Sequence, residues 1–328
     1  MASGAPVDFR FGVEIEVVLP SRHSWGTYTS WAQCAQALSG SIQRRGVANN
    51  VSNPDNKPNE RYERWALVEE PSIPSLPYAP QISMEGVSPV YQFGTAHAQE
   101  TWKSQIKEVW AGFTQFSAQA APGCSTHVHL SPSSARWTLP QVKAIAKAAL
   151  YFEPCIDAIM PAHRVRPAPG TSDWCASSRQ NAYGRQMGYA QQITNITNAP
   201  SVEYAIYYMN ALSLNFQNDI RSANVSPYFR WNFTGLGAGG KGTIEFRQPP
   251  GSKNENETTA WVMFTGCFVR AVLEYETDNM YPRLVAADTG PGLNNKQRYF
   301  KEFVKTGANL MGYNEAMIAW IMSRVGIA

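Results

Sequence analysis

The chain has 328 residues, 44% of them hydrophobic and 12% aromatic, which is enough to bury a large core and excludes a disordered tail. Its formal net charge is +3 with basic residues scattered along the sequence, so neither nucleic acid nor an acidic membrane is implied as the main partner. Five cysteines, Cys34, Cys124, Cys155, Cys175 and Cys267, are an odd number at wide spacings; this fits neither a disulfide framework nor a Cys-x-x-Cys zinc site and reads as reduced thiols.

The opening residues "MASGAPVDFRFG" lack a basic segment followed by an apolar run, and no stretch reaches the ~18 apolar residues of a membrane span, so a soluble cytoplasmic protein is expected. Period-two alternation predicts a first strand over Phe9–Leu19. Within it "GVEIEV" puts Val13, Ile15 and Val17 on one face and Glu14 and Glu16, about 7 Å apart, on the other. Further strands are predicted at Arg64–Val68, Ile82–Val90, Ser125–Leu130, Pro227–Phe233 and Thr243–Arg247. Helical spacing is present at Glu100–Ala118, at Leu139–Met160 with a kink or break near Pro154, at Thr258–Tyr275 and at Glu315–Val325. The Pro-rich segment Pro71–Pro80 and the span Pro161–Pro200, rich in Pro, Asn, Gln and Ser, read as long loops, a length at which lids and binding elements are common. Strands and helices do not alternate as βαβ units, which predicts an α+β fold with a mainly antiparallel sheet. No repeat or clear linker divides the chain, so a single domain is expected.

The polar faces of these strands carry unusual residues. Glu85 lies opposite Met84; in "CSTHVHLS" His127 and His129 share a face; in "YFRWNF" Arg230 and Asn232 oppose the aromatics; in "GTIEFR" Thr243, Glu245 and Arg247 share a face. Each strand alone also matches an ordinary solvated sheet face, and exposed or core histidines are as common as ligands. Solvated faces, however, usually carry Thr, Lys, Ser and Gln, and like charges crowded on one face need a counter-charge. If the faces converge, several carboxylates can stay ionised together only with cations between them. Oxygen-rich ligation with one or two imidazoles suits Mg²⁺ or Mn²⁺ better than zinc, and neighbouring arginines suit phosphate. That combination points to nucleotide phosphoryl transfer. No Walker A motif is present; "GLGAGGKGT", Gly235–Thr243, reads equally as a flexible hairpin loop or as a flap over phosphates with Lys241 as a ligand. The aromatic segment Tyr204–Asn210 reads as core or as the lining of an acceptor pocket.

The order Glu14-x-Glu16, Glu85 in "MEGVSP", "STHVHLS", Arg230 and Asn232 in "RWNF", then "TIEFRQPPGS" resembles the amidoligase family, within the carboxylate-amine ligase superfamily of glutamine synthetase and glutamate-cysteine ligase. The resemblance runs from about Phe9 to Glu276 and implies one catalytic domain with a core over 9–276 and a helical tail over 277–328. It also implies a curved, mainly antiparallel half-barrel sheet with flanking helices, a glutamine synthetase-like fold whose concave face binds ATP and Mg²⁺ or Mn²⁺. On that likeness Glu14, Glu16, Glu85, His127 and Glu245 hold metal, and His129 and Ser131 lie toward the nucleotide. Arg247 contacts the transferred phosphoryl, and Arg230 is a second clamp on phosphate or substrate. Where relatives often carry Asp-Gly-Ser, this chain has Glu70-Pro71-Ser72. The implied activity is ATP-dependent amide formation between a carboxylate and an amine through an acyl phosphate. A metal-dependent hydrolase and an inactive nucleotide- or metabolite-binding protein on the same scaffold are the alternatives. The sequence identifies neither substrate, gives no role to residues 164–227 and leaves the oligomeric state open.

Overall fold

The computed structural model describes residues 8–23, 26–52, 62–73, 81–94, 96–133, 136–166, 174–213, 224–275 and 293–327. It is a mixed α+β structure whose strands are mostly antiparallel; no sheet closes on itself among the described residues, and helices flank the strands. The chain divides into two units, Asp8–Val128 with Pro249–Val262, and His129–Gln248 with Met263–Ala328.

The first unit is built on β1, Phe9–Pro20. Phe9, Phe11, Val13, Ile15, Val17 and Leu19 are each at most 1% exposed, so the alternating face read in the sequence is the core face. Each such burial contributes roughly 1.5–3 kcal/mol. After the small hairpin of β2 (Arg22–His23) and β3 (Gly26–Thr27) come α1 (Trp31–Arg44), β4 (Asn49–Val51), β5 (Trp65–Glu69), β6 (Gln81–Val87), β7 (Tyr91–Gln92), α2 (Ala96–Gln115) and β8 (Thr126–Pro132). The strand order is β4-β5-β6-β1-β8, with β7 beside β1. Strands β4 and β5 pair in parallel, whereas β6 pairs antiparallel with both β1 and β5, and β7 antiparallel with β1. The β1/β6 register sets Glu16 directly against Glu85. Strand β6 stops at Val87 because Ser88 turns inward, its hydroxyl accepting from the Val13 N–H at 2.8 Å. Helices α1 and α2 cover the apolar face, Trp102 meeting Phe11 edge-on and Phe113 lying under Gly86. Gly112 on α2 permits the approach of α1, since a Cβ there would stand 2.7 Å from Ile42.

The second unit is mostly helical. Helix α3, Leu139–Asp157, starts with a capping box between Thr138 and Gln141. It continues unbroken through Pro154, where the sequence suggests a kink or break. Proline frees the carbonyl four residues earlier, and here Arg179 donates to Leu150 O (2.7 Å) and Tyr151 O (3.0 Å). The span expected as loop over Pro161–Pro200 holds α4 (Ala162–Val165), α5 (Ala182–Met187) and α6 (Tyr189–Thr197), followed by α7 (Val202–Asn210). Its amides are buried fasteners: Asn181 accepts from Gly184 N–H and donates to Tyr208 O, while Gln192 donates to Ser178 O and Tyr208 O. In α7, Tyr207 is core and packs with Tyr183 and Ala211. Strands β9 (Trp231–Asn232) and β10 (Ile244–Phe246) follow in the order β8-β10-β9. Strand β9 is shorter than the predicted Pro227–Phe233, because Tyr228 and Arg230 spend their backbone groups on Ala176. Helix α8 spans Glu255–Tyr275, and two more helices span Leu293–Leu310 and Glu315–Val325. Phe152, Phe264, Phe268, Phe300 and Phe303 form the aromatic core between them. Gly307 lies so close to α8 that a Cβ would stand 1.8 Å from Cys267 O.

All five cysteines are buried, and none of them forms a disulfide. No helix among the described residues is long and apolar enough to cross a membrane. Of the expected lid Pro71–Pro80, residues 74–80 lie outside the described residues, as do 276–292 of the expected helical tail.

Candidate functional site

In the first unit β1, β6 and β8 bring acids and an imidazole onto one face. The paired residues Glu16 and Glu85 are 5% and 7% exposed, and His127 is 4% exposed. His127 Nδ1 lies 3.2 Å from Glu14 Oε2, and its Nε2 lies 3.5 Å from Glu16 Oε1. Glu16 Oε2 accepts from the Ser125 N–H at 2.7 Å, which fixes the carboxylate. Two triads, Glu14 with Glu85 and His127, and Glu16 with Glu70 and Glu85, each offer ligand atoms within 4.8 Å of one another.

Glu70 is the residue that sequence reasoning leaves without a role. It stands at the end of β5 in the segment matched to Asp-Gly-Ser, and its Oε1 accepts from Ser72 N–H at 3.0 Å. Two buried carboxylates at directly opposed positions repel, and one imidazolium cannot balance four acids. The donor set of carboxylate oxygens with a single histidine fits a hard divalent cation such as Mg²⁺ or Mn²⁺.

In the second unit a polar cluster forms around β10. Glu245 faces Asn232 in register and accepts from its Nδ2 at 2.7 Å. Arg247 Nη1 donates to Glu245 Oε1 at 2.6 Å, and the Arg247 guanidinium lies 5.8 Å from the Tyr228 ring centre. His129 Nε2 lies 3.6 Å from Glu245 Oε1, and its Nδ1 lies 3.4 Å from Thr243 Oγ1. Ser131 is two residues further along β8, half-buried. Lys241 is exposed on the Gly235–Thr243 loop, which folds on itself through Gly242 N–H to Gly235 O at 2.8 Å. Gly239 and Gly242 have φ of 77° and 75°, the left-handed region that this tight loop needs.

Arg230 takes another place. Its Nη1 pairs with Glu153 (2.9 Å) and Asp157 (2.8 Å) of α3, and its Nη2 donates to Val165 O. Ser177 Oγ also bonds Glu153, and Ser178 N–H donates to it at 2.9 Å. Burial pushes the Glu153 carboxyl up, against the pull of Arg230 and Ser177. Asp157 further accepts from Gln248 Nε2 at 2.6 Å. Arg164, 7% exposed, donates to Gln248 O (3.0 Å) and Arg247 O (2.6 Å). Arg247 N–H donates to Arg230 O at 2.8 Å. Thus a buried network anchored on α3 holds the backbone on both sides of Arg247. The spacing of Glu153 and Asp157, four apart on one helix, was its only trace in the sequence.

Carboxylates and an imidazole placed so that they could hold a divalent cation lie on a mostly antiparallel sheet. A family model described as "Putative amidoligase enzyme" matches residues 8–269. The chain belongs to that family, a ligase-type enzyme family by its description. No curated protein matches the sequence at a significant level.

Proposed function

We propose that the protein is an ATP-dependent carboxylate-amine ligase, related to glutamine synthetase and glutamate-cysteine ligase and built on the same curved half-barrel. It joins the carboxylate of a small molecule, amino acid or peptide to an amine through an acyl phosphate. The observation that carries this reading is the convergence of Glu14, Glu16, Glu70, Glu85 and His127 within the family-matched region.

Glu14, Glu16, Glu85 and His127, joined by Glu70, hold the metal through carboxylate oxygens and one ring nitrogen. Bound Mg²⁺ or Mn²⁺ with ATP supplies a phosphoryl group whose charge the metal partly neutralises. Glu245 serves in the second unit as a further acid ligand, oriented by Asn232. Arg247 is the group that meets developing phosphoryl charge, because a guanidinium presents two parallel N–H donors. His129, Ser131 and Lys241 contact the nucleotide. Arg230 acts through its backbone and its ion pairs, keeping Arg247 in place. The buried, unbridged thiols and the use of ATP fit a cytoplasmic setting.

ADP release by the purified protein, followed with Mg-ATP and pooled acids and amines, tests the reading. Release that requires both an acid and an amine supports it. Turnover of any acid derivative without ATP would replace it with a metal-dependent hydrolase.

A further inference from the structure

A cleft of about 300 Å³ in the second unit is lined in part by Tyr228, the residue whose ring faces the Arg247 guanidinium. Trp174, Phe229 and Tyr228 give it aromatic walls, Leu212 an aliphatic one, and Gln180, Arg185 and Ser226 its polar side chains. Three observations set it apart from ordinary surface. First, Leu212 (49% exposed) and Tyr228 (41%) are two of the four large apolar residues exposed among the described residues, and both line this cleft. Exposed apolar surface gathered in a concavity, with few polar groups, is the ordinary form of a small-molecule site. Second, Tyr228 is shared: its ring meets Trp174 edge-to-face at 4.3 Å and lies 5.8 Å from the Arg247 guanidinium. Third, Arg185 is exposed at the end of α5 with no side-chain partner among the described residues.

We infer that this cleft binds a small carboxylate with an aromatic or branched apolar body, the body against Trp174 and Tyr228 and the anionic group at Arg185. The volume matches a molecule of amino-acid size, at the lower end of ligand cavities. A cationic ligand is disfavoured by Arg185 and Arg247, and a purely polar acid would leave Trp174, Leu212 and Tyr228 uncovered. Under the ligase reading, on which only this last step rests, the occupant is the acid substrate, delivered beside Arg247.

Calorimetric titration of the full chain tests the binding without ATP, using 3-phenylpropionate, 2-phenylethylamine and propionate as probes. Saturable binding of 3-phenylpropionate alone is expected. Arg185→Gln, at an exposed position that leaves folding intact, should weaken it about tenfold or more, the loss of one charge-assisted contact. Trp174→Ala should weaken it similarly, with near-ultraviolet circular dichroism confirming the fold. No saturable binding, equal binding of the amine, or binding unchanged in both variants would overturn the assignment. If 3-phenylpropionate binds and both variants lose it, while no acid and amine together elicit ADP release, the cleft stands and the ligase reading falls. ADP release driven by acids that do not need Arg185 or Trp174 would do the reverse.

Discussion

Glu16 shows how a single side chain carries the metal argument. It is buried, held by Ser125 N–H, faces Glu85 across the sheet and lies beside His127. Glu16→Gln keeps an oxygen for Ser125 and removes one charge from the crowd. Mg-ATP-dependent turnover should fall below detection, while the midpoint of metal-free thermal unfolding stays equal or rises, because relieved repulsion stabilises the fold. A variant that unfolds early yet keeps full specific activity would remove Glu16 from the site. Arg247→Lys replaces a fork with a point charge, so turnover should drop by at least about a hundredfold with Mg-ATP binding retained; unchanged turnover would exclude Arg247 from the chemistry. Arg230 is a matter of stability. Arg230→Met leaves Glu153 and Asp157 buried without their cation, and urea unfolding should show a loss of about 3–5 kcal/mol. The sign with pH follows from Glu153. Losing Arg230 removes the pull that opposes burial and raises the Glu153 carboxyl further, so the deficit should be smallest in acid, where Glu153 is neutral with or without Arg230, and should grow as pH rises past the already raised pKa that Glu153 has in the wild-type fold. A deficit independent of pH would mean that Glu153 does not feel Arg230.

At the scale of elements, alternation is what made the fold legible. Strand β1 was readable to within a residue because six aliphatic and aromatic side chains in strict alternation can be satisfied by only one pleat. Helix Glu315–Val325 was readable from its helical spacing, and in the structure Asn314 caps it and Gly326, in the left-handed conformation at φ 83°, ends it. The span after α3 was misread for a physical reason. Asn181, Gln192 and Asn210 belong to loop-forming types by composition, but each is fully buried and bonded to backbone, and no local pattern announces a tertiary hydrogen bond. At Pro154 the helix runs on without a break, since Arg179, a residue distant in sequence, satisfies the carbonyl that the proline frees. Glycine gives a direct test of packing between elements. Gly307→Ala must push its helix away from Cys267 O, and we expect a loss of about 1–3 kcal/mol in urea unfolding; a neutral result would show that the helix Leu293–Leu310 can shift freely.

For the molecule as a whole, the family and the acids of the site were legible because the site is distributed over strand faces, where a period of two exposes every second residue to reading. Glu14, Glu16, Glu85 and His127 could be collected in that way. Glu70 could not, since it sits at a strand end followed by a turn. Nor could Arg164 and Gln248, whose roles exist only through backbone carbonyls brought together by folding. On the proposed reading the acid cluster is a divalent-metal site serving ATP. Thermal unfolding of the purified protein with Mg²⁺ alone, ATP alone and both together tests it most directly, because ligands of the native state raise the midpoint by mass action. The account predicts a rise that needs both and disappears in Glu16→Gln. An unchanged midpoint under every combination would contradict it.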